Sequence, residues 1–178
     1  MQIRAAKAED SQAIADIHVS GWKAAYRGVV PDQHLRSLSV EKRRAYWLSA
    51  IEKGEPLVRV AAGTSGVTGW VAFGPSRDGD AQPHTGEIWA IYVSPLMWAQ
   101  GIGRHLMTGA LGEMRSMGFE TATLWVLAKN ERACLFYAHA GFVPEEASMK
   151  TVSIGGAALQ EVRYWKELAR YQGVRADR

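Results

Sequence analysis

The chain has 178 residues, 47% of them hydrophobic and 22% charged, with a formal net charge of +3. That length suits one domain, expected over residues 1–178, with a sizeable core, and no apolar stretch approaches the roughly 20 residues of a membrane span. The basic residues are scattered apart from Lys42-Arg43-Arg44 and a thin tail of Arg170, Arg175 and Arg178, so neither nucleic acid nor membrane is expected as a partner.

One cysteine, Cys134, excludes an internal disulfide and suits a reducing compartment. The N-terminus, Met1 to Lys7, lacks the apolar core of a signal peptide, so a cytoplasmic location is expected.

In chain order, Ile3–Ala5 predicts a short strand. Asp10 or Ser11 caps a helix to about Val19, and a second helical piece carries Trp22 and Tyr26. Ser39 caps a helix over Val40–Ile51. Leu57–Ala62 and Val67–Phe73 alternate as a hairpin across Gly63-Thr64-Ser65-Gly66. Gly74–Thr85 is the one long loop. A strand over Glu87–Val93, a helix over Gly103–Met117, a strand over Thr121–Leu127 and a helix over Asn130–Ala140 follow. A strand after Phe142 and a last one over about Leu159–Lys166 complete the order.

Two junctions carry chemistry. The apolar strand ending at Val93 runs through Ser94-Pro95 into a loop, and Gly101-Ile102-Gly103 opens a helix with apolar residues at Ile102, Leu106, Met107, Ala110, Leu111 and Met114. A helix start leaves backbone N–H groups unpaired and adds roughly half a positive charge, which suits a phosphate or pyrophosphate. A P-loop would need Gly-Lys-Ser/Thr, but Arg104-His105 follows Gly103. A dinucleotide fingerprint would need a third glycine at Leu106 and an acidic residue ending the next strand, whereas Glu120 begins it. The second junction is Asn130-Glu131-Arg132-Ala133-Cys134-Leu135-Phe136-Tyr137-Ala138-His139-Ala140-Gly141-Phe142. Asn130 is a natural N-cap, Ala133, Phe136, Tyr137 and Ala140 share a face, and Gly141 ends the helix.

Trp98-Ala99-Gln100-Gly101-Ile102-Gly103 resembles motif A of the GCN5-related N-acetyltransferases, Gln/Arg-x-x-Gly-x-Gly/Ala, with Trp98 departing from the usual first residue. The segment from Asn130 to Phe142 resembles the family's motif B. The resemblance covers nearly the whole chain. It implies an α+β fold (an α/β/α sandwich) with a mixed, mostly antiparallel central sheet and helices on both faces. It also implies acetyl-CoA as the acetyl donor, with its pyrophosphate on Trp98, Ala99, Gln100, Gly101, Ile102, Gly103 and Arg104. The pantetheine arm would run along the backbone of Ile91, Tyr92 and Val93 as an added strand, near Asn130, Ala133, Phe136 and Tyr137.

Amine acetylation needs a proton acceptor, because an amine of pKa about 10.4 is almost wholly charged at neutral pH. Glu87 begins the strand that leads to the phosphate loop. Period-2 alternation puts it on one face with Trp89, Ile91 and Val93, where apolar neighbours such as Trp89 and Trp70 would raise its pKa. In the histone-acetylating branch of the family, a glutamate fourteen residues before the first motif A glycine is the general base, and 101 minus 14 is 87. The resemblance makes Tyr137 the group that hydrogen-bonds the leaving sulfur. The acceptor is expected near Trp22, Tyr26, Glu87 and Trp89, and the string from Trp22 through Tyr26 and Gly28 to Val30-Pro31 resembles a subgroup of small bacterial acetyltransferases. Trp22 and Tyr26, spaced i, i+4, also read as core packing. His34 and His84 are isolated, no His/Cys/Asp group has metal-ligand spacing, and no Gly-x-Ser-x-Gly elbow occurs.

The expected activity is therefore transfer of acetyl to a primary amine of a small molecule or peptide, by direct attack in a ternary complex, with a homodimer allowed. The alternative is a module of the same fold that keeps coenzyme A affinity without catalysis.

Overall fold

A computed structural model describes residues 1–64 and 66–168; Ser65 in the predicted hairpin turn and the tail arginines lie outside them. The elements are β1 (Gln2–Ala5), α1 (Ser11–Ala25), α2 (Asp32–Ser37), α3 (Val40–Lys53), β2 (Leu57–Gly63), β3 (Gly66–Pro75), β4 (Thr85–Val93), α4 (Ile102–Ser116), β5 (Thr121–Leu127), α5 (Glu131–His139), β6 (Val143–Ile154) and β7 (Ala157–Glu167). They build one seven-stranded sheet in the order β1-β2-β3-β4-β5-β7-β6. Every pairing is antiparallel except β4 with β5.

Alternation along β3 sorts the core into two layers. Val71 and Phe73 join Leu106, Met107, Ala110 and Met114 of α4, while Trp70 and Ala72 join Ile14 and Ile17 of α1 and Trp47 and Ala50 of α3. Each large apolar side chain buried this way contributes about 1.5–3 kcal/mol. Gly69 lets α4 approach the sheet: a Cβ there would stand 3.1 Å from Leu106 Cδ1 and 3.2 Å from Ile102 Cγ2.

Three expectations need correction. The two predicted pieces after Asp10 are one helix. It runs unbroken through Ser20, whose hydroxyl donates to the Asp16 carbonyl at 2.7 Å, and Gly21 is a packing residue, since a Cβ would meet the Tyr92 ring at 3.0 Å. The short helix α2 was not anticipated; its six residues give too little periodicity to register. The alternation expected in β4 also fails. Ala72 pairs with Ala90 but Phe73 pairs with Ile88, so Trp89 is the extra residue of a β-bulge. Ile88, Ile91 and Val93 therefore face the α4 layer, while Trp89, Ala90 and Tyr92 face α1. Ile91 and Val93 lie on the face opposite Trp89.

Candidate active site

Strands β4 and β5 pair only where Thr85, Gly86 and Glu87 meet Thr121, Ala122 and Thr123. Beyond that point they diverge. Ile88–Val93 stays paired on its other side to β3, so the wedge between the strands exposes one edge of β4 to a cleft of about 380 Å³. The cleft floor and walls come from Ile88–Val93, from Trp125 and Val126, and from Asn130, Ala133, Phe136 and Tyr137 of the α5 segment.

At one end stands the first turn of α4. Ala99 and Gly101 both adopt positive φ, 61° and 78°, which turns the loop so that Gly101 caps the helix from a left-handed conformation. The amides at the start of a helix have no partner within it, and here they border the cleft together with Arg104. Gly103 fits closely: a Cβ would come within 3.3 Å of the Phe136 ring and 3.7 Å of Val93 Cγ2, both cleft walls. Any side chain at residue 103 would crowd the place where these amides can meet an anion.

Trp98, the departure from motif A, is built into the wall. Its indole N–H donates to the Val93 carbonyl at 2.9 Å, and the Arg132 guanidinium lies over its ring at 3.5 Å. Arg132 thereby brings a second cation, beside Arg104, to the α4 end of the cleft, and burial lowers its pKa. It occupies a variable position of motif B, so nothing in the motif pointed to it.

The α5 segment folds as its sequence dictates. Asn130 Oδ1 accepts from the Ala133 amide at 3.2 Å. Tyr137 lines the cleft, and burial, with Tyr26 and Cys134 nearby, pushes its phenol well above the ordinary range. It is held as a neutral O–H donor. Cys134 is half-buried, packs against the core rather than the cleft, and neighbours Tyr164, whose pKa burial and this thiol raise to about 12.

The opposite end of the cleft is aromatic, formed by Gly21, Ala25, Tyr26, Trp89 and Trp125, with Arg77 4.3 Å from the Trp89 ring centre and Lys150 3.3 Å from that of Trp125. Of the expected acceptor residues, Tyr26 and Trp89 are here. Trp22 is not; it donates its indole N–H to the Tyr92 hydroxyl at 2.7 Å and packs on Tyr26. Glu87 is only 1% exposed and lies outside the cleft walls. Its carboxylate is not in an apolar setting: Arg77 of the β3–β4 loop gives it a backbone N–H at 2.9 Å, an Nε bond at 3.1 Å and a close Nη2 contact. Of the residues expected around the donor, Gln100 alone does not reach the cleft; it is exposed, against the Met97 sulfur at 3.8 Å.

Sequence reasoning missed Arg77, Trp125, Arg132 and Met97. Trp125 has its indole N–H on both carboxylate oxygens of Asp78, at 3.0 and 3.2 Å. Its period-2 position in β5 was the one available signal. Of the isolated histidines, His34 packs near Trp22, and His84 has a positive φ of 60° with its carbonyl accepting from the Glu120 amide. Among the described residues no group of His, Cys, Asp and Glu could hold a metal, and no helix is long and apolar enough to cross a membrane.

Known proteins resemble this chain in sequence and in fold. An N-acetyltransferase of Bacillus subtilis, YuaI, of uncharacterised activity, is 32% identical over 168 residues, 94% of each chain. The L-amino acid N-acyltransferase MnaT of Escherichia coli is 30% identical over 145 residues, 80% of each chain. Among solved structures, the Salmonella typhimurium yncA protein with its cofactor acetyl-CoA superposes with a TM-score of 0.72 at 24% identity over 99% of both chains. The PaiA N-acetyltransferase of Thermoplasma acidophilum in complex with coenzyme A gives 0.70 at 20% identity, over 93% of this chain and 98% of that one. The acetyltransferase (GNAT) family model matches residues 13–142, and the chain belongs to that family.

Proposed function

We propose that the chain is a single-domain acetyl-CoA-dependent N-acetyltransferase whose acceptor is a primary amine of a small molecule or peptide. The observation that carries this reading is the wedge between β4 and β5, with the first turn of α4 at one end and an aromatic mouth at the other. Acetyl-CoA supplies the activated acetyl group. The amides around Gly101 and Gly103, with Arg104 and Arg132, take the pyrophosphate, and the open edge of β4 at Ile91–Val93 aligns the pantetheine arm by strand-like bonding.

Chemistry then falls to three groups. Tyr137, kept protonated by burial, offers a hydrogen bond to the leaving sulfur. An N–H on the bulged stretch of β4 stabilises the oxygen on which charge develops. Glu87 accepts the amine's proton, directly or through water. Cys134 is a packing residue, which favours direct attack over an acyl-enzyme.

A panel measuring free thiol release from acetyl-CoA tests the reading. It should include L-amino acids, because one relative carries that activity in its name, along with polyamines, aminoglycosides and peptides. Release above the hydrolytic background with at least one amine is expected. A protein that binds coenzyme A yet acetylates none of these classes would instead be the non-catalytic module.

A further inference from the structure

Glu87 is buried, and among the described residues every hydrogen bond its carboxylate accepts comes from Arg77. The guanidinium is sandwiched: besides its contact with Glu87, it lies 4.3 Å from the ring centre of Trp89, whose indole N–H is fixed on the Pro75 carbonyl at 3.1 Å. Carboxylate and indole face together form a cage for a cation. Trp89 is at the same time a wall of the aromatic mouth.

Cage and occupant differ in freedom. Glu87 is fixed in the sheet, while the Arg77 side chain is 53% exposed. The loop beneath it is pinned from the other side. Arg163 of β7 binds Asp78 at 3.1 Å and Asp80 at 2.7 and 2.9 Å, with Glu145 on its Nε at 2.6 Å. Asp78 in turn accepts from Trp125. Side-chain rotation alone can therefore remove the guanidinium without moving the loop. The Arg77 backbone N–H would still hold the carboxylate in place.

We propose that Arg77 is a built-in surrogate for the acceptor: its guanidinium occupies the cation site between Glu87 and Trp89, and the acceptor's ammonium enters by exchanging with it. This rests on the reading of Glu87 as proton acceptor. Exchange of one cation for another leaves the buried carboxylate paired throughout, avoiding the large cost of an unpaired buried charge. Once seated, the ammonium gives one proton to Glu87. The nitrogen lone pair forms the C–N bond, the C–S bond breaks with its electrons on sulfur, and the second nitrogen proton neutralises the thiolate. Products are the amide, the thiol and the proton that Glu87 passes to solvent. Arg77 thus sets the acceptor's form, a protonated amine, and excludes neutral nucleophiles while the site is closed.

The test uses small cations and does not require the natural acceptor. Guanidinium chloride and propylammonium chloride, each at low millimolar concentration, are titrated onto the coenzyme A-saturated protein by calorimetry. Arg77→Ala is expected to bind both at least about tenfold more tightly than wild type, because the internal competitor that reduced the open fraction is gone. Arg77→Lys, which keeps a cation but loses the planar fork, should fall between and covers the case of an unfolded Arg77→Ala. Arg77→Ala/Glu87→Gln should lose the gain. With the best amine of the panel, Arg77→Ala should also lower the acceptor KM about tenfold, and added guanidinium should raise it again. If neither Arg77 variant binds the cations more tightly than wild type, the surrogate idea is overturned. Should Glu87→Gln keep wild-type turnover, the base assignment fails by itself, while the cation titrations still decide the cage.

Discussion

Gly103→Val tests the anion end of the cleft. The Cβ would already stand 3.3 Å from Phe136 Cε2, and the two added methyl groups must go either further into that ring or into the space before the helix amides. Overpacking of this kind costs about 1–3 kcal/mol, offset by a few tenths from replacing a helical glycine. The domain should therefore stay folded. Binding should not survive. Hydrogen bonds to a charged group are worth about 1.5–3 kcal/mol each, so denying two of them costs about 3–6 kcal/mol, at least a 100-fold loss of affinity. For wild type, acetyl-CoA at about 100 times its Kd adds roughly 2.7 kcal/mol, or a rise in Tm of about 5–10 °C for a domain of this size. The variant should show almost no rise, with calorimetry giving the Kd directly. Gly103→Ala, with only the Cβ, should lose about tenfold or less. NADH should shift neither protein. A folded Gly103→Val with near-normal acetyl-CoA affinity would mean that these amides do not hold the pyrophosphate.

Other outcomes follow from the same geometry. Tyr137→Phe keeps the ring's packing and removes the donor, so turnover should fall about 100-fold, about 2.7 kcal/mol, with acceptor KM and acetyl-CoA affinity little changed; unaffected turnover would make Tyr137 a core residue only. Glu87→Gln should slow turnover at neutral pH by at least about 100-fold, the deficit shrinking toward alkaline pH as the free amine becomes abundant; a constant ratio across the profile would place the base elsewhere. His18 is buried, accepts the Trp47 indole N–H at 3.0 Å and has its pKa lowered to about 3, chiefly by desolvation. Because the unfolded chain protonates this histidine and the folded one does not, stability should fall by up to about 1.4 kcal/mol per pH unit from about pH 6.5 down toward 3. Denaturant melts of wild type and His18→Phe over that range would show a shallower slope in the variant; equal slopes would refute the assignment. Gly69→Ala should destabilise by about 1–3 kcal/mol, read from urea midpoints, because the new Cβ meets the Tyr92 carbonyl and the first turns of α4.

The amino-acid sequence alone determined those parts of the site whose chemistry is local. Gly101 and Gly103 open α4 because the turn needs a left-handed residue and the helix start needs room. Asn130 caps α5 because its side chain reaches an amide three residues on, and Tyr137 falls toward the cleft by helical period. Periodicity also supplied the order of strands and main helices, while the family was legible only in the resemblance of Trp98–Gly103 and Asn130–Phe142 to its two motifs. Tertiary structure decided whatever depends on partners distant in the chain. The bulge at Trp89 exists only in the pairing of β4 with β3, and it reversed the face assigned to Ile91 and Val93. The two helical pieces expected on either side of Ser20-Gly21 are one helix, with Gly21 set against the Tyr92 ring. Trp22 was drawn from the acceptor mouth to the Tyr92 hydroxyl, and Glu87 from an apolar wall to Arg77. In each case a local pattern fixes which way a residue can point, while the group it meets there is set by a contact that no short window of sequence contains.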